Sequence, residues 1–263
     1  MITLTSAQLH AWIAAFLWPL TRILGLIAAA PLFGNISVPA RVKIVLGAML
    51  ALIISPTVPE LPATDPMSLA GLLILVQQLV IGLAMGFAMR LVFAAVEMAG
   101  EISGMTMGLG FATFFDPHSQ GHSSAISQFL SLLTLMLYLA MNLHLMLLST
   151  LADSFQSLPI TASPIGIGSF HQLAAWGGRI FSTGVQLSLP IVAALLITNL
   201  ALGILTRAAP QLNLFAIGFP VTIGVGFVMI ALVLPYLVSP VGRLFQDAID
   251  MIRQMTVALP PIR

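Results

Sequence analysis

The stretch MSLAGLLILVQQLVIGLAMGFAM, residues 67–89, decides the class of this protein. It contains 23 residues without a charge, which correspond to about 35 Å of α-helix, whereas the hydrocarbon core of a bilayer is about 30 Å thick. The stretch therefore predicts a helix that is long enough to span a membrane. The helical pattern continues beyond Arg90 into a segment where Glu97 and Glu101 lie one turn apart.

The composition of the whole chain points to the same class. Of the 263 residues, 59% are hydrophobic and only 6% are charged, against about 25% charged residues in a soluble domain. Lipid or partner subunits must cover much of such a surface. The net charge of +1 and the lack of a Lys/Arg cluster argue against nucleic acid as a partner. The absence of cysteine excludes disulfides, thiolate metal sites and cysteine nucleophiles.

Further apolar stretches predict an all-α fold with about six long helical segments. A connection rich in Pro, Gly and Ser, from Asp153 to about Ser169, separates a larger front part from a rear helical hairpin. Lys and Arg divide equally between alternate connections, so the positive-inside rule gives no orientation. The six predicted segments are residues 9–33, 44–58, 67–89, 125–151, 184–206 and 214–241.

Three charged residues, Arg22, Glu97 and Glu101, lie within or beside apolar helices. A charge at the centre of a membrane helix costs about 2.5–3.5 kcal/mol on insertion scales, so each of them needs a partner or water. One interpretation is a relay for protons or ions. The other, which the general pairing of buried charges favours, is an ion pair between helices or subunits.

Residues suited to catalysis or metal binding are sparse. His118 and His122 have the i, i+4 spacing of helical zinc ligands, and Asp116 is close by in sequence. A proline and a glycine interrupt any helix there, so a polar loop explains the three residues better than a metal site. No Gly-x-Ser-x-Gly elbow occurs in the chain. The sequence predicts neither an enzyme nor a cofactor nor a metal.

The segment GFATFFDP, residues 110–117, contains three phenylalanines within five residues, in a connection where polar residues are expected. Bulky apolar groups in a loop must be buried somewhere. They either fill the core of the protein itself or form an apolar closure across a conduit, as in channels that exclude water at a hydrophobic constriction. The sequence leaves both interpretations open.

Motifs spread over nearly the whole chain resemble those of the FliR family of flagellar export-gate proteins, which is related to the T subunits of virulence injectisomes. The motifs are WPL at 18–20 with Arg22, VP at 38–39, RVK at 41–43, GE at 100–101, MGLGFATF at 107–114, DP at 116–117, LP at 189–190, NLALG at 199–203, Arg207, PQ at 210–211 and GFP at 218–220.

The resemblance implies a subunit that assembles with P-type and Q-type subunits into a cone-like gate in the bacterial inner membrane, within the flagellar basal body. The gate exports unfolded flagellar proteins and lies largely above the membrane plane. Contacts with lipid, with the B-type gate subunit and with the large A-type subunit of the export apparatus are also implied. Residues 1–175 then form a P-like front part with a plug at residues 110–121, and residues 176–263 form a Q-like hairpin.

The resemblance also assigns roles to individual residues. The plug position matches Gly110, Phe111, Phe114, Phe115, Asp116 and Pro117; charge pairs between helices or subunits match Arg22, Glu97, Glu101 and Arg207; and the hairpin turn matches Pro210, Gln211 and Asn213.

Two alternatives to a flagellar gate subunit remain at this stage. The first is the T subunit of an injectisome, which is disfavoured because the segment from Gly100 to Pro117 follows the flagellar pattern so fully. The second is a polytopic transporter that works alone. In such a transporter Arg22 and Glu97 would bind substrate near the membrane midplane.

Overall fold

A computed structural model describes residues 6–59, 61–62, 64–111, 124–161, 167–209 and 214–256 of the chain. These residues form helices and contain no strand, which confirms the predicted all-α fold. The α-helices are α1 (Ser6–Ala29), α2 (Ala40–Ile54), α3 (Leu69–Thr106), α4 (Ala125–Ala140), α5 (Leu143–Ser157), α6 (Ile167–Ala208) and α7 (Leu214–Thr256), with short 3₁₀ turns at Ser55–Thr57 and Leu109–Phe111.

The number of long apolar helices agrees with the prediction. Within the described ranges, five helices are long and apolar enough to cross a membrane, and the bent pair α4 and α5 would make a sixth span. The helices α3, α6 and α7 are much longer than their apolar segments suggested, with 38, 42 and 43 residues. The sequence pattern underestimates them because polar and charged residues continue the same helices beyond the apolar stretch.

Residues 125–151 were expected to form one helical segment, but they belong to two helices that meet at an angle of 64°. The break lies at Asn142, whose backbone adopts the left-handed conformation with φ of 55°. Asn tolerates this conformation better than most residues because its short polar side chain can bond to the local backbone. The apolar pattern continues through the break, so hydropathy does not reveal it.

The chain divides into two compact units. Unit 1 consists of Met1–Leu91, Asn142–Gly177 and Phe245–Arg263, and unit 2 consists of Val92–Met141 and Gly178–Leu244. The helices α3, α6 and α7 each contribute to both units. The expected boundary at 175/176 lies inside the continuous helix α6. The assignment of a P-like front part and a Q-like rear part remains a prediction.

The core of unit 1 forms where α1 packs closely on α3. Gly82 and Gly86 lie one turn apart on α3, and a Cβ on Gly86 would lie 2.7 Å from the carbonyl oxygen of Leu26. Small residues at this spacing allow two helix backbones to approach. The large side chains that are fully buried in unit 1 include Trp18, Ile23, Met85, Met89 and Phe155.

The core of unit 2 forms around the second half of α3. Val92 and Val96 are buried there, and the ring of Phe93 contacts that of Tyr138 on α4 edge to face, with 5.8 Å between the centroids. Such aromatic pairs add to the stabilisation that comes from apolar burial. The end of α3 and the start of α4, which flank the connection that contains the Phe-rich segment 110–117, therefore belong to the same packed unit.

Candidate functional site

The segment that leads from α3 into the Phe-rich connection begins with a tight turn. Gly108 has φ of +89°, which glycine adopts without steric cost, and its N–H donates to the carbonyl oxygen of Met105 at 3.0 Å. A glycine in this conformation just beyond the end of a helix is a common C-terminal cap. The turn ends α3 and directs the chain into the 3₁₀ turn Leu109–Phe111.

The same turn is fixed to α7. A Cβ on Gly108 would lie 2.7 Å from Cδ1 of Phe219, so the phenyl ring packs directly on the glycine. Met107 is fully buried, and its side chain fills the space that a Cβ on Gly226 would need. Thr222 Oγ1 donates to the carbonyl oxygen of Met107 at 3.0 Å. Phe219, Thr222 and Gly226 share one face of α7, because their spacings of three and four residues correspond to one helical turn each.

The other end of the Phe-rich connection is fixed at the start of α4. Ser124 is the N-cap residue of α4, and its Oγ accepts a hydrogen bond from the N–H of Ser127 at 3.2 Å. The N–H of Ser124 donates to Oε2 of Glu101 on α3 at 2.9 Å. The carboxylate of Glu101 therefore holds the N-terminus of α4, where the helix dipole favours a negative charge.

Glu97 lies one turn before Glu101 and contacts α4 through serine hydroxyls. Ser127 Oγ donates to the carbonyl oxygen of Glu97 at 2.8 Å, and Ser131 Oγ donates to its Oε1 at 3.0 Å. The helices approach closely here, since Gly100 has no Cβ; a Cβ at this position would lie 2.5 Å from the Cα of Ser127. The side chain of Glu97 is exposed and borders an open cleft of about 260 Å³ between α3 and α4.

Arg22 is fully buried in unit 1, and its guanidinium binds neutral groups. Nε donates to Oε1 of Gln78 on α3 at 2.7 Å. Nη1 donates to the carbonyl oxygen and to Oγ of Ser154 at 2.9 and 3.1 Å, and Nη2 donates to the carbonyl oxygen of Leu158 at 3.0 Å. The guanidinium carbon also lies 4.3 Å from the ring centroid of Phe155.

The partners of Arg22 within this chain are neutral groups, and its ion pair with a charge on another subunit remains a prediction. Two of its acceptors, the carbonyls of Ser154 and Leu158, lie at the C-terminus of α5, where the helix dipole places partial negative charge. Between residues that the structure describes, the one ion pair is the exposed contact of Asp250 with Arg253 at 3.8 Å. Within this chain, the carbonyls at the end of α5 therefore place partial negative charge against the guanidinium of Arg22.

Arg207 lies in the last turn of α6 and is exposed. Its positive charge interacts favourably with the dipole at this helix end. Pairing of Arg207, Glu97 and Glu101 with charges on other subunits remains a prediction.

Large parts of α2, α6 and α7 expose apolar side chains. Ile197 is 70% exposed and Tyr236 is 79% exposed. Contiguous apolar surface of this kind marks contacts with lipid or with other proteins. Further members of the set are Met49 and Ile53 on α2, Leu200 and Ile204 on α6, and Phe227 and Leu232 on α7.

Comparison with known proteins identifies the family. Residues 13–248 match the family described as bacterial export proteins, family 1. The chain is 43% identical to the flagellar biosynthetic protein FliR of Pectobacterium carotovorum subsp. carotovorum, over 98% of this chain and 99% of that protein. It is 42% identical to the FliR protein of Escherichia coli K12 over the full length of both chains. The chain belongs to the FliR family. A more distant FliR protein, from Bacillus subtilis strain 168, is 31% identical over 92% of this chain and 94% of its own length.

Membership in the FliR family supports a role in flagellar protein export, and it implies association with other components of the export gate. Together with the long apolar helices, it makes the chain a membrane-embedded export component. The relatives are named as flagellar biosynthetic proteins and not as enzymes.

Several residues that the FliR resemblance singled out lie outside the described residues. Gly110 lies in the 3₁₀ turn after α3, and a Cβ built on it would meet no described atom within 4 Å. Phe111 ends that turn, and only its backbone is described. Among the candidate site residues named from the sequence, those outside the described ranges are Phe114, Phe115, Asp116, Pro117, His118, His122, Pro210, Gln211 and Asn213.

The sequence analysis did not identify three residues that make hydrogen bonds at these contacts: Gln78, Ser124 and Thr222. Gln78 lies within the most apolar stretch, and a polar side chain in such a place indicates a buried hydrogen-bond partner. Ser124, just before an apolar helix, has the signature of an N-cap. Thr222 gave no comparable signal, because a threonine in an apolar helix most often bonds to its own backbone.

Proposed function

We propose that this chain is a subunit of the flagellar protein export gate and that it forms a pore with P-type and Q-type subunits in the bacterial inner membrane. The pore passes unfolded flagellar proteins. The B-type gate subunit and the large A-type subunit of the flagellar export apparatus are further partners. Identities of 42–43% over 98–100% of the chain to proteins of the flagellar system favour this function over that of an injectisome subunit.

In this proposal residues 110–121 form a plug that closes the pore. The observation that carries it is the fixed position of both ends: Met107 and Gly108 pack on α7, and Ser124 bonds to Glu101. A Phe-rich segment held between two fixed ends stays near one place, where its apolar bulk excludes water and raises the barrier to ions. The plug residues are Gly110, Phe111, Phe114, Phe115, Asp116 and Pro117.

The apolar faces of α2, α6 and α7 are proposed to contact lipid and the neighbouring P-type and Q-type subunits. This explains why a chain with so few charges exposes side chains such as Ile197 and Tyr236. The rear part from residue 176 serves as the Q-like hairpin, with its turn at Pro210, Gln211 and Asn213.

The carboxylates of Glu97 and Glu101 are proposed to bind cationic side chains of a neighbouring subunit. Two features support this role: Glu97 is exposed at an open cleft, and within this chain both carboxylates receive hydrogen bonds from neutral donors only, as far as the described residues go. Arg207, exposed at the end of α6, is a candidate for the complementary pairing.

The plug is tested by replacing Phe111 and Phe114 with alanine in the complete gate. We expect the complex to assemble but to make cells or liposomes permeable to ions, because the closure loses its apolar bulk. Phe181→Ala, which removes an exposed phenylalanine from α6, is the control and should leave the membrane tight.

If the two phenylalanines instead fill the core of the subunit, their replacement will reduce assembly through a loss of about 3–5 kcal/mol of packing for each side chain. A double variant that assembles, remains tight and exports normally would refute the plug.

A further inference from the structure

We infer that Thr222 is a positioning residue for the closure, because its hydroxyl holds the end of α3 on α7 through a hydrogen bond that can be exchanged for one inside α7. The inference deepens the proposed function and rests on it where it speaks of closure. The contact itself, between Thr222 and Met107, belongs to the described part of unit 2.

The hydroxyl of Thr222 has two acceptors within reach. One is the carbonyl oxygen of Met107 at 3.0 Å, and the other is the carbonyl oxygen of Phe219, three residues back in α7, at 3.1 Å. A hydroxyl carries one hydrogen and directs it to one good acceptor at a time. Thr222 is only 6% exposed, so water does not readily compete for this hydrogen. The side chain therefore has two defined bonding states.

In the first state, Thr222 donates to a carbonyl at the end of helix α3. Met107 directly follows α3, so its carbonyl is among those that have no partner within the helix. A donor on another helix that satisfies such a carbonyl also fixes where the chain leaves α3. Because Gly108 follows immediately and turns the chain, this bond sets the starting point of residues 110–121.

The state in which Thr222 bonds to Phe219 makes detachment of Met107 inexpensive. A buried donor that loses its acceptor normally bears the full penalty of desolvation. Here the hydroxyl turns to the carbonyl three residues back, a common arrangement for threonine in a helix. Only the Met107 carbonyl then needs a new donor, which water supplies at an opened contact. The flexible side chain of Met107 packs against Gly226. Because it can adopt several rotamers, it can also detach from this contact and pack there again.

The test uses the natural absence of cysteine, so an introduced thiol is the single one in this chain, and its labelling is read on this chain after the subunits are separated. Gly110→Cys places a thiol where a Cβ meets no described atom within 4 Å. In the assembled complex with P-type and Q-type subunits, Thr222→Val should raise the rate at which Gly110→Cys reacts with a thiol reagent about tenfold, the effect of losing one buried hydrogen bond. Thr222→Ser keeps the hydroxyl and should stay within about twofold of the parent.

Thr198→Val is the matched control, because the hydroxyl of Thr198 bonds to Ala194 in its own helix α6. It removes the same group and should leave the rate unchanged. Equal labelling of the Thr222→Val and Thr198→Val complexes would overturn the inference. If labelling rises while the membrane stays tight to ions, Thr222 holds the end of α3 but residues 110–121 are not the closure, so the proposed function fails and the positioning role stands.

A second measurement covers the case in which Thr222→Val does not assemble. Met107→Cys together with Gly226→Cys puts two sulfurs at a contact where the native side chain already touches the glycine. Removal of two hydrogens by an added oxidant such as copper phenanthroline forms the S–S bond and locks Met107 on α7. The locked complex should lose export and regain it when a reductant restores the thiols, whereas the export of either single variant should not differ between the oxidised and the reduced condition. Normal export by the locked complex would overturn the exchange of the hydrogen bond.

Discussion

Replacement of Arg22 by methionine should strongly destabilise unit 1. Methionine has a similar length and no charge, so the change removes four hydrogen bonds and the contact with Phe155 while filling most of the space. The Ser154 carbonyl keeps its helical bond from the N–H of Leu158, and the Ser154 hydroxyl keeps its bond to the carbonyl of Leu151. These two groups therefore lose little.

The main cost falls on Oε1 of Gln78 and on the carbonyl of Leu158, the two acceptors for which the described residues show no second donor. An unsatisfied buried acceptor costs about 1–3 kcal/mol, and a cation–π contact contributes about 0.5–2 kcal/mol. Relief from burying a charge offsets part of this sum. We expect a net loss of about 3 kcal/mol, which corresponds to a decrease in Tm of about 6–12 °C for a chain of this size.

The assay is thermal unfolding of the purified complex, followed by intrinsic tryptophan fluorescence, because Trp18 is fully buried one turn from Arg22. Arg90→Met is the control, since Arg90 is an exposed arginine within α3 and should change Tm by less than about 2 °C. Arg22→Lys keeps the charge but has a single nitrogen, which cannot serve α3 and α5 with the geometry of a guanidinium, so it should also destabilise.

A Tm of Arg22→Met within about 2 °C of the parent would refute this reasoning, because it would mean that the four bonds add nothing beyond the cost of burying the charge. A stable variant that fails to export would point instead to a direct part for Arg22 in transport.

Three further outcomes follow from the described contacts. Gly108→Ala should destabilise the complex by about 1–3 kcal/mol in thermal unfolding, because the new Cβ would overlap the ring of Phe219 and because alanine disfavours the positive φ of this residue. Gly110→Ala should be neutral. Asn142→Ala should lower stability by about 1 kcal/mol relative to Asn142→Gly, since alanine disfavours the left-handed conformation, and equal Tm values would contradict this. Glu97→Gln should reduce co-purification with the partner subunits before it affects export; a variant that assembles normally but loses proton-dependent export would favour the relay instead.

The fold class was predictable because it depends on average properties of long segments. The stretch from Met67 to Met89 is uncharged over 23 residues, so its helical state does not depend on any single contact. The break at Asn142 was not predictable in this way, because one backbone conformation divides a stretch whose hydropathy is continuous. A feature that depends on the backbone conformation of one residue does not show in hydropathy averaged over many residues.

The candidate site was predictable only in part. The Phe-rich segment stands out because phenylalanine is unusual in a connection, and the charges within or beside apolar helices stand out because a charge is costly there. The partners of these residues did not stand out. Arg22 reaches Ser154 and Leu158, more than 130 positions along the chain, and the acceptors are backbone carbonyls, which every residue carries. The type of residue gives no information about such a pairing, and an ion pair of Arg22 with a charge on another subunit remains a prediction.

The two kinds of polar contact suggest different parts in export. Arg22 makes four hydrogen bonds to three residues, and separating them leaves a buried cation, so this contact is expected to persist while the gate works. Thr222 makes one bond at a time and keeps an alternative acceptor within its own helix, so its contact with Met107 parts at low cost. If residues 110–121 form the proposed closure, they must yield to each exported chain and reform, so motion is expected where the bonds are exchangeable, at the end of α3, and not at Arg22. Hydrogen exchange of the complex during export should therefore increase at Met107 and Gly108 while the C-terminal turn of α5 stays protected, and the opposite pattern would contradict this division.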